Sequence, residues 1–260
     1  AARIPLVNHS HRDSILPMTR ILCFTRYERL GASSRLRFLQ YTHLLRSLGL
    51  DLQFSPLITD QMLTEKYEGR RYSPFKLIGR YINRIFLLTT AKKTQLLWVE
   101  KELLPWFPAW AELALSLRFS IVLDYDDAVF HTYDQHQNQW IALVFRRRID
   151  KLMKNAALVV VGNEYLAARA RAAGARKVAL IPTSIDLNRY TPSFFDQSSY
   201  RAGNGPLRIV WIGSPSTQHY LDVIRRPLQE LAKRHSFILR LIGAKEFIAD
   251  AALSTALSVA

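Results

Sequence analysis

Within the eleven residues Ile121-Val-Leu-Asp124-Tyr-Asp126-Asp127-Ala-Val-Phe-His131, three carboxylates and a histidine follow a short apolar run. If that run is a strand of an open parallel sheet, the acids sit at its carboxyl end, the edge where such sheets bind ligands. Three acids this close repel one another. At least one is therefore expected to have a raised pKa, unless the group shares a cation or a hydroxyl-rich ligand. Asp124, Asp126, Asp127 and His131 are the first candidates for chemistry. Aspartate also caps helices, so a purely structural use of Asp127 as a cap and of Asp124 as a partner of nearby backbone stands beside this reading, although it accounts for fewer than three acids.

A second candidate is the loop Arg26-Tyr-Glu-Arg-Leu-Gly31-Ala-Ser33-Ser34-Arg35. Gly31 permits close backbone approach, and Ser33 or Ser34 can cap the helix that follows. A helix start of this kind offers N–H donors to a phosphate or a sugar hydroxyl; an ordinary capped turn is the plainer alternative. The loop lacks the Gly-x-Gly-x-x-Gly pattern of dinucleotide sites, which argues against a nicotinamide enzyme. Other uses of Asp-x-Asp match poorly. Haloacid-dehalogenase-like phosphatases carry Thr or Val where Ala128 stands, and place the motif after their first strand. The surroundings also differ from those of enzymes that hold Mn²⁺ with such a pair.

The elements that must position these residues alternate. Apolar runs at Ile21 to Phe24, Leu52 to Ser55, Leu96 to Glu100, Ser120 to Leu123, Ala157 to Val161 and Lys177 to Ile181 read as strands, separated by helix-length segments such as Ser34 to Leu48. Strands this uniformly apolar predict a parallel sheet covered on both faces. Pro182 to Gly205 has linker composition. A second βαβ unit follows, with strands at Leu207 to Ile212 and Phe237 to Ile242, a turn at Gly213 to Thr217 and a helix at Tyr220 to His235. Only 55 residues remain from Pro206 onward, short of a usual domain, so the chain reads as truncated there. Residues 1–18 lack an apolar core and read as an unstructured extension, not a secretory signal.

The chain has 260 residues, 49% hydrophobic and 22% charged, with a net charge of +15 and Cys23 as its one cysteine. An internal disulfide is excluded, and the charge favours an anionic partner: nucleic acid, anionic lipid or a phosphorylated small molecule. No apolar stretch is long enough to span a membrane. Between Lys66 and Lys93 eight Lys/Arg face a single acid, Glu68. Lys76, Arg80 and Arg84 recur at helical spacing, which predicts a basic amphipathic helix able to rest on an anionic membrane surface, or else a solvated face. Trp106, Phe107 and Trp110 read as core or turn packing.

Gly31-Ala-Ser-Ser-Arg-Leu-Arg, Trp98-Val-Glu-Lys-Glu, Leu123-Asp-Tyr-Asp-Asp-Ala-Val-Phe, Val161-Gly-Asn-Glu-Tyr-Leu-Ala and Ile181-Pro-Thr-Ser-Ile-Asp occur in an order that resembles the bacterial family 4 (group 1) glycosyltransferases. The resemblance covers roughly residues 20 to 245. It implies an α/β fold of the GT-B type, with an N-terminal Rossmann-like domain over 19–185, a linker over 186–205 and the start of a second Rossmann-like domain over 206–260. It further implies a metal-independent, retaining hexosyltransferase without a cofactor, moving sugar from a nucleoside diphosphate sugar to a glycan or lipid-linked acceptor in cell-envelope polysaccharide synthesis. Its place would be the cytoplasm, peripheral to the membrane, with activity impaired if the chain is truncated.

On this resemblance Asp126, Asp127 and His131 would line the acceptor side with catalytic roles, with Asp124 beside them. Gly31, Ser33, Ser34 and Arg35 would face the donor. Asn163 would cap a helix near the cleft, Thr183 and Ser184 would mark the interdomain crossing, and Gly213, Ser214 and Thr217 would form a phosphate-side turn. The sequence departs from the family in having no cation between Gly213 and His219, and the family's paired-glutamate motif would lie past Ala260. The rival expectation is a basic nucleic-acid-binding protein without catalytic activity, which the scattered aromatics and the lack of a recognition motif disfavour.

Overall fold

The computed structural model describes residues 19–91, 96–189, 207–214 and 217–244, with the backbone of 257–259. The expected extension over 1–18, Lys92 and Lys93, and the linker from residue 190 lie outside them. The chain divides into two compact units, the main change falling between Asp186 and Leu187, with the short segment Tyr67–Arg70 grouped with the second.

The first unit is a six-stranded sheet of β1 (Thr19–Phe24), β2 (Leu50–Phe54), β3 (Leu96–Glu100), β4 (Ser120–Tyr125), β5 (Leu158–Val161) and β6 (Val178–Leu180). The order is β2-β1-β3-β4-β5-β6 and every neighbouring pair is parallel. Side chains alternate between faces: Leu22 and Phe24 enter the larger core with Leu97, Val99 and Leu123, whereas Ile21 and Cys23 pack with Phe38 and Leu52 on the opposite face. Cys23 is wholly buried, and burial pushes its thiol up to about 12.

Between β1 and β2 lie α1 (Ala32–Arg37) and α2 (Thr42–Ser47); between β2 and β3 lie α3 (Asp60–Tyr67) and α4 (Pro74–Thr90). The helix α5 (Ala109–Ser116) precedes β4. Then α6 (His131–Asp134), α7 (Gln139–Phe145) and α8 (Arg148–Asn155) precede β5, and α9 (Glu164–Ala172) precedes β6. Parallel crossovers are right-handed, so the chain changes faces when it reverses direction along the sheet. The segment after β1 covers the Ile21 face through Phe38 and Leu45, while Leu88, Ala109, Ile149, Leu152 and Leu166 of the later helices cover the Leu22 face.

Three expectations are corrected. The single helix over Ser34 to Leu48 is broken at Phe38, whose backbone leaves the helical region (φ −127°, ψ −64°) so that its ring packs 4.3 Å from that of Trp98. The basic stripe of α4 does not lie wholly in solvent: Lys76 is exposed, Arg80 half-buried and Arg84 buried. Arg84 is 1% exposed and its guanidinium donates to the carbonyls of Thr25, Ser55 and Leu103, one after each of β1, β2 and β3. Arg80 donates to Pro56 O at 3.0 Å, and Lys76 pairs with Glu65 at 2.8 Å. Finally, Trp106 and Phe107 do pack, against Tyr133 and Tyr81, but Trp110 turns outward.

The second unit holds β7 (Leu207–Ile212), α10 (Leu221–Ala232), β8 (Phe237–Ile242) and β9 (Leu257–Val259), a parallel sheet in the order β7-β8-β9. Its core is formed by Leu221, Leu228, Phe237, Leu239 and Leu241. The short β9 adds a third strand where the sequence reading saw two. No helix among the described residues is long and apolar enough to cross a membrane.

Arg84→Ala leaves three buried carbonyls without their donor and should lower stability by roughly 3 kcal/mol. Lys76→Ala, which removes an exposed pair, should cost less than about 1 kcal/mol. Urea unfolding midpoints at constant m distinguish the two, and equal losses would refute the role given to Arg84.

Candidate functional site

The strand order reverses between β1 and β3, the place where open sheets of this kind receive ligands. The loop leaving β1 is pinned there to a single carboxylate. Ser34 Oγ donates to Glu100 Oε2 at 2.5 Å, Arg26 N donates to the same oxygen at 2.7 Å, and Tyr27 N donates to Ser34 Oγ at 2.9 Å. Both Ser34 and Glu100 are buried. Burial pushes the Glu100 carboxyl upward, and the Ser34 hydroxyl and Arg26 N–H only partly oppose it. Ser34 is therefore neither a cap nor a ligand-facing group. Gly31, the residue before α1, has no room for a side chain, because a methyl group there would overlap Tyr27.

The acids at the end of β4 do not share one cation. Asp124 is buried beneath Arg37, whose Nε lies 2.8 Å from its Oδ1, and Trp98 Nε1 stands 3.4 Å from its other oxygen. Burial pushes its pKa up to about 6 in spite of the guanidinium. The pair helps to line a mostly apolar cavity of about 380 Å³ together with Trp98, Val122, Val160 and Leu45. Asp126 and Asp127 instead meet Lys101, at 3.2 and 2.7 Å, and Ser33 Oγ donates to Asp126. Burial alone would raise Asp126, but the Lys101 ammonium and the Ser33 hydroxyl outweigh it and hold its carboxyl below the usual range. Lys101 is likewise pulled down by burial and brought back above its ordinary value by the two carboxylates. Asp127 keeps 69% of its side chain in solvent, so it is the carboxylate most accessible to a ligand.

The remaining candidates separate. His131 gives its ring nitrogens to Asp134 (2.8 Å) and Tyr165 (2.7 Å) and makes no hydrogen bond to the β4 acids. Asn163 caps α9 by accepting from Leu166 N at 3.0 Å. Arg35 donates to the carbonyls of Arg29 and Leu30 in its own loop. Thr183 is exposed, and Ser184 meets Tyr41 OH at 2.9 Å. In the second unit, Ser214 N donates to Thr217 Oγ1 (3.0 Å) and Thr217 N to Ser214 O (2.9 Å), closing the turn after β7. Gly213 N bonds Ile242 O, and Gly243, at φ +78°, passes too close to Gly213 O to carry any side chain.

Sequence reasoning missed the cations. Lys101 takes a left-handed backbone (φ 65°) directly after β3, and its N–H donates to Asp124 O at 2.8 Å. Arg148, buried on α8, pairs with Glu102 and Glu112 and donates to Leu104 O at 2.7 Å, fixing the loop that follows Lys101. The charged triplet Glu100-Lys101-Glu102 after an apolar run was the available signal for Lys101; Arg37 ends the quoted Gly31 motif but nothing local tied it to Asp124, and Arg148 carried no signal.

No protein-family model matches the chain, and no curated protein sequence does. Among solved structures it is similar to sucrose-phosphate synthase (tll1590) from Thermosynechococcus elongatus, with a TM-score of 0.60 over 93% of this chain and 70% of that one at 14% identity. The glycosyltransferase SnogD from Streptomyces nogalater aligns with 93% of this chain and 72% of its own at 14% identity and a TM-score of 0.42. The first similarity is one of fold, and the α/β class with GT-B-type parallel sheets expected from the sequence is the one observed.

An aspartate whose folded pKa exceeds its unfolded value binds its proton more readily when folded, so its contribution to stability falls as pH rises from about 4 to about 6. Carbon NMR of the aspartate carboxyls should show one resonance titrating near 6 that is lost in Asp124→Asn. In parallel, the stability advantage of wild type over that variant should shrink across the same window. Titration of Asp124 near 4 would mean that Arg37 outweighs burial.

Proposed function

We propose that the chain transfers a sugar, with retention at the anomeric carbon, from a nucleoside diphosphate sugar to a hydroxyl of a glycan or lipid-linked acceptor in cell-envelope polysaccharide synthesis. The observation that carries this reading is the Ser33, Lys101, Asp126 and Asp127 cluster beside the strand-order reversal. It lies in a chain whose fold is similar to that of a protein named as a sucrose-phosphate synthase.

In this reading the first unit takes the acceptor. Asp127 accepts a hydrogen bond from the acceptor hydroxyl, and Lys101, 2.7 Å from one of its oxygens, holds the carboxylate in place. Asp126 stays charged and positions Ser33 and Lys101. The bond from the anomeric carbon to the diphosphate breaks as the bond to the acceptor oxygen forms on the same face, and the proton of the acceptor hydroxyl passes to the departing diphosphate oxygen. Charge gathers on the departing diphosphate, so preorganised N–H groups and cations contribute most. The turn at Gly213, Ser214 and Thr217 is assigned to that diphosphate in the second unit. Positive charge near the carboxylates comes from Lys101 and Arg37 of the chain itself, and the reading needs neither a metal nor a further cofactor. His131 is a positioning residue through Asp134 and Tyr165 rather than a catalytic one. Nucleic-acid binding, the other use of a +15 charge, is not favoured, because none of the described arrangements interleaves aromatic and basic side chains on an open strand face.

Calorimetry with uridine, guanosine and adenosine diphosphate sugars, followed by assay of nucleoside diphosphate release with glycan and lipid-linked acceptors, tests the reading. Asp127→Asn should lower kcat/KM at least tenfold, about 1.4 kcal/mol, with donor affinity within twofold of wild type. Salt-sensitive binding to RNA or DNA with no response to any donor would replace this reading by the nucleic-acid one.

A further inference from the structure

The cavity beneath Arg37 and Asp124 has no part in the transfer reading. Ile21, Leu96, Trp98, Val122 and Val160 of the sheet form one wall of its 380 Å³, and Tyr41 and Leu45 of the segment between β1 and β2 form the other. Leu96 stands in register with Ser120 and Trp98 with Val122, so from the level of Leu96 to that of Asp124 the cavity runs four residues along the strands, about 13 Å. Protein interiors keep few voids larger than a water molecule. This one is held in place. Arg37 donates to Ile181 O at 2.5 Å, Gln40 to Ser184 O at 2.9 Å, and Tyr41 OH meets Ser184 Oγ at 2.9 Å, which straps the segment after β6 to the helical wall. Ser33 and Arg37, one turn apart on α1, meet Asp126 and Asp124 in turn. The cavity therefore reaches the carboxyl edge of the sheet, where open parallel sheets receive ligands.

We propose that this cavity is a binding site for a single hydrocarbon chain of roughly ten to fifteen carbons, given that an apolar cavity of about 150 Å³ holds one benzene. The lining selects that chemistry. Its charged members, Arg37 and Asp124, are each 4% exposed in their side chains and pair with each other. Every guanidinium nitrogen of Arg37 is engaged, Nε and Nη2 by Asp124 and Nη1 by Ile181 O, and the second Asp124 oxygen faces the Trp98 indole. The wall thus has no net charge and offers no spare cation to a phosphate or a carboxylate. A sugar placed there would leave hydroxyls without partners, a costly burial. What the walls leave for a ligand to cover is apolar surface, and their length along the strands suits a chain better than a compact ring. Binding of a chain requires no sugar donor, so this proposal stands apart from the transfer reading.

Titration of the 260-residue chain with hexanol, octanol and decanol, followed at the Trp98 indole N–H by heteronuclear NMR and assigned with Trp98→Phe, tests the proposal. Affinity should rise about fourfold with each added methylene, and the Trp98 signal should move in step with binding. Val122→Phe and Leu45→Trp, which fill the cavity from opposite walls, should each weaken decanol binding at least tenfold with unchanged circular dichroism. Leu45→Trp, at a partly buried position, carries the test if Val122→Phe fails to fold. Phe86→Ser, at an exposed position of α4, should bind decanol within twofold of wild type. Absence of decanol binding, an affinity that ignores chain length, a Trp98 signal that stays still, or equal binding by wild type and the filled variants would each overturn it.

Discussion

A parallel sheet delivers the carboxyl ends of all its strands to one edge, and in this protein β3 and β4 arrive there bearing Glu100, Glu102, Asp124, Asp126 and Asp127. Glu100 and Asp124 are even partners in register. Left together, such charges would drive the edge apart. The structure resolves the repulsion by dividing the acids among separate cations: Arg37 of α1 for Asp124, Lys101 for Asp126 and Asp127 together, and Arg148 of α8 for Glu102. Glu100, with no cation among the described residues within hydrogen-bonding reach, is held by a hydroxyl and an amide. Elements far apart in sequence are thereby tied to one edge, and the loops bearing the candidate site are fixed by the same contacts that neutralise it.

Lys101 is the point where this arrangement is most demanding. A non-glycine residue in the left-handed region costs roughly 1–2 kcal/mol, yet this geometry lets the backbone amide bond Asp124 O while the side chain meets two carboxylates. Local strain and favourable electrostatics occupy the same residue, a combination that accompanies sites where position matters more than stability. The second sheet uses glycine for the comparable bend, Gly243 closing against Gly213 at the ends of β8 and β7.

Much of the framework was legible because it depends on local pattern. Each apolar run from Ile21 to Ile242 that read as a strand is one, within two residues at its ends. The acids of β4 and the loop at Gly31 were visible for the same reason, being short and contiguous. What escaped depended on long-range approach. Nothing near Phe38 announces that its ring must reach Trp98 and break a helix. Nothing in the i, i+4, i+8 spacing of Lys76, Arg80 and Arg84 reveals that Arg84 faces three carbonyls from three separate loops. Periodicity marks which residues share a side of a helix, but a helix apolar on both sides leaves open which side is inward, and long cationic side chains can satisfy buried carbonyls as readily as they face water.

The burial of Cys23 carries its own consequence. It lies on β1, the second strand from one edge of the sheet, beneath Phe38 and Leu52, and its thiol is held up to about 12. Thiolate, the reactive form, is scarce there at neutral pH, and a reagent reaches it only when the α1 and α2 segment lifts or the strand separates. A single native side chain thus acts as a built-in chronometer: its rate of alkylation, compared with that of the unfolded chain, reports how often the core beneath the candidate site opens, without an introduced label.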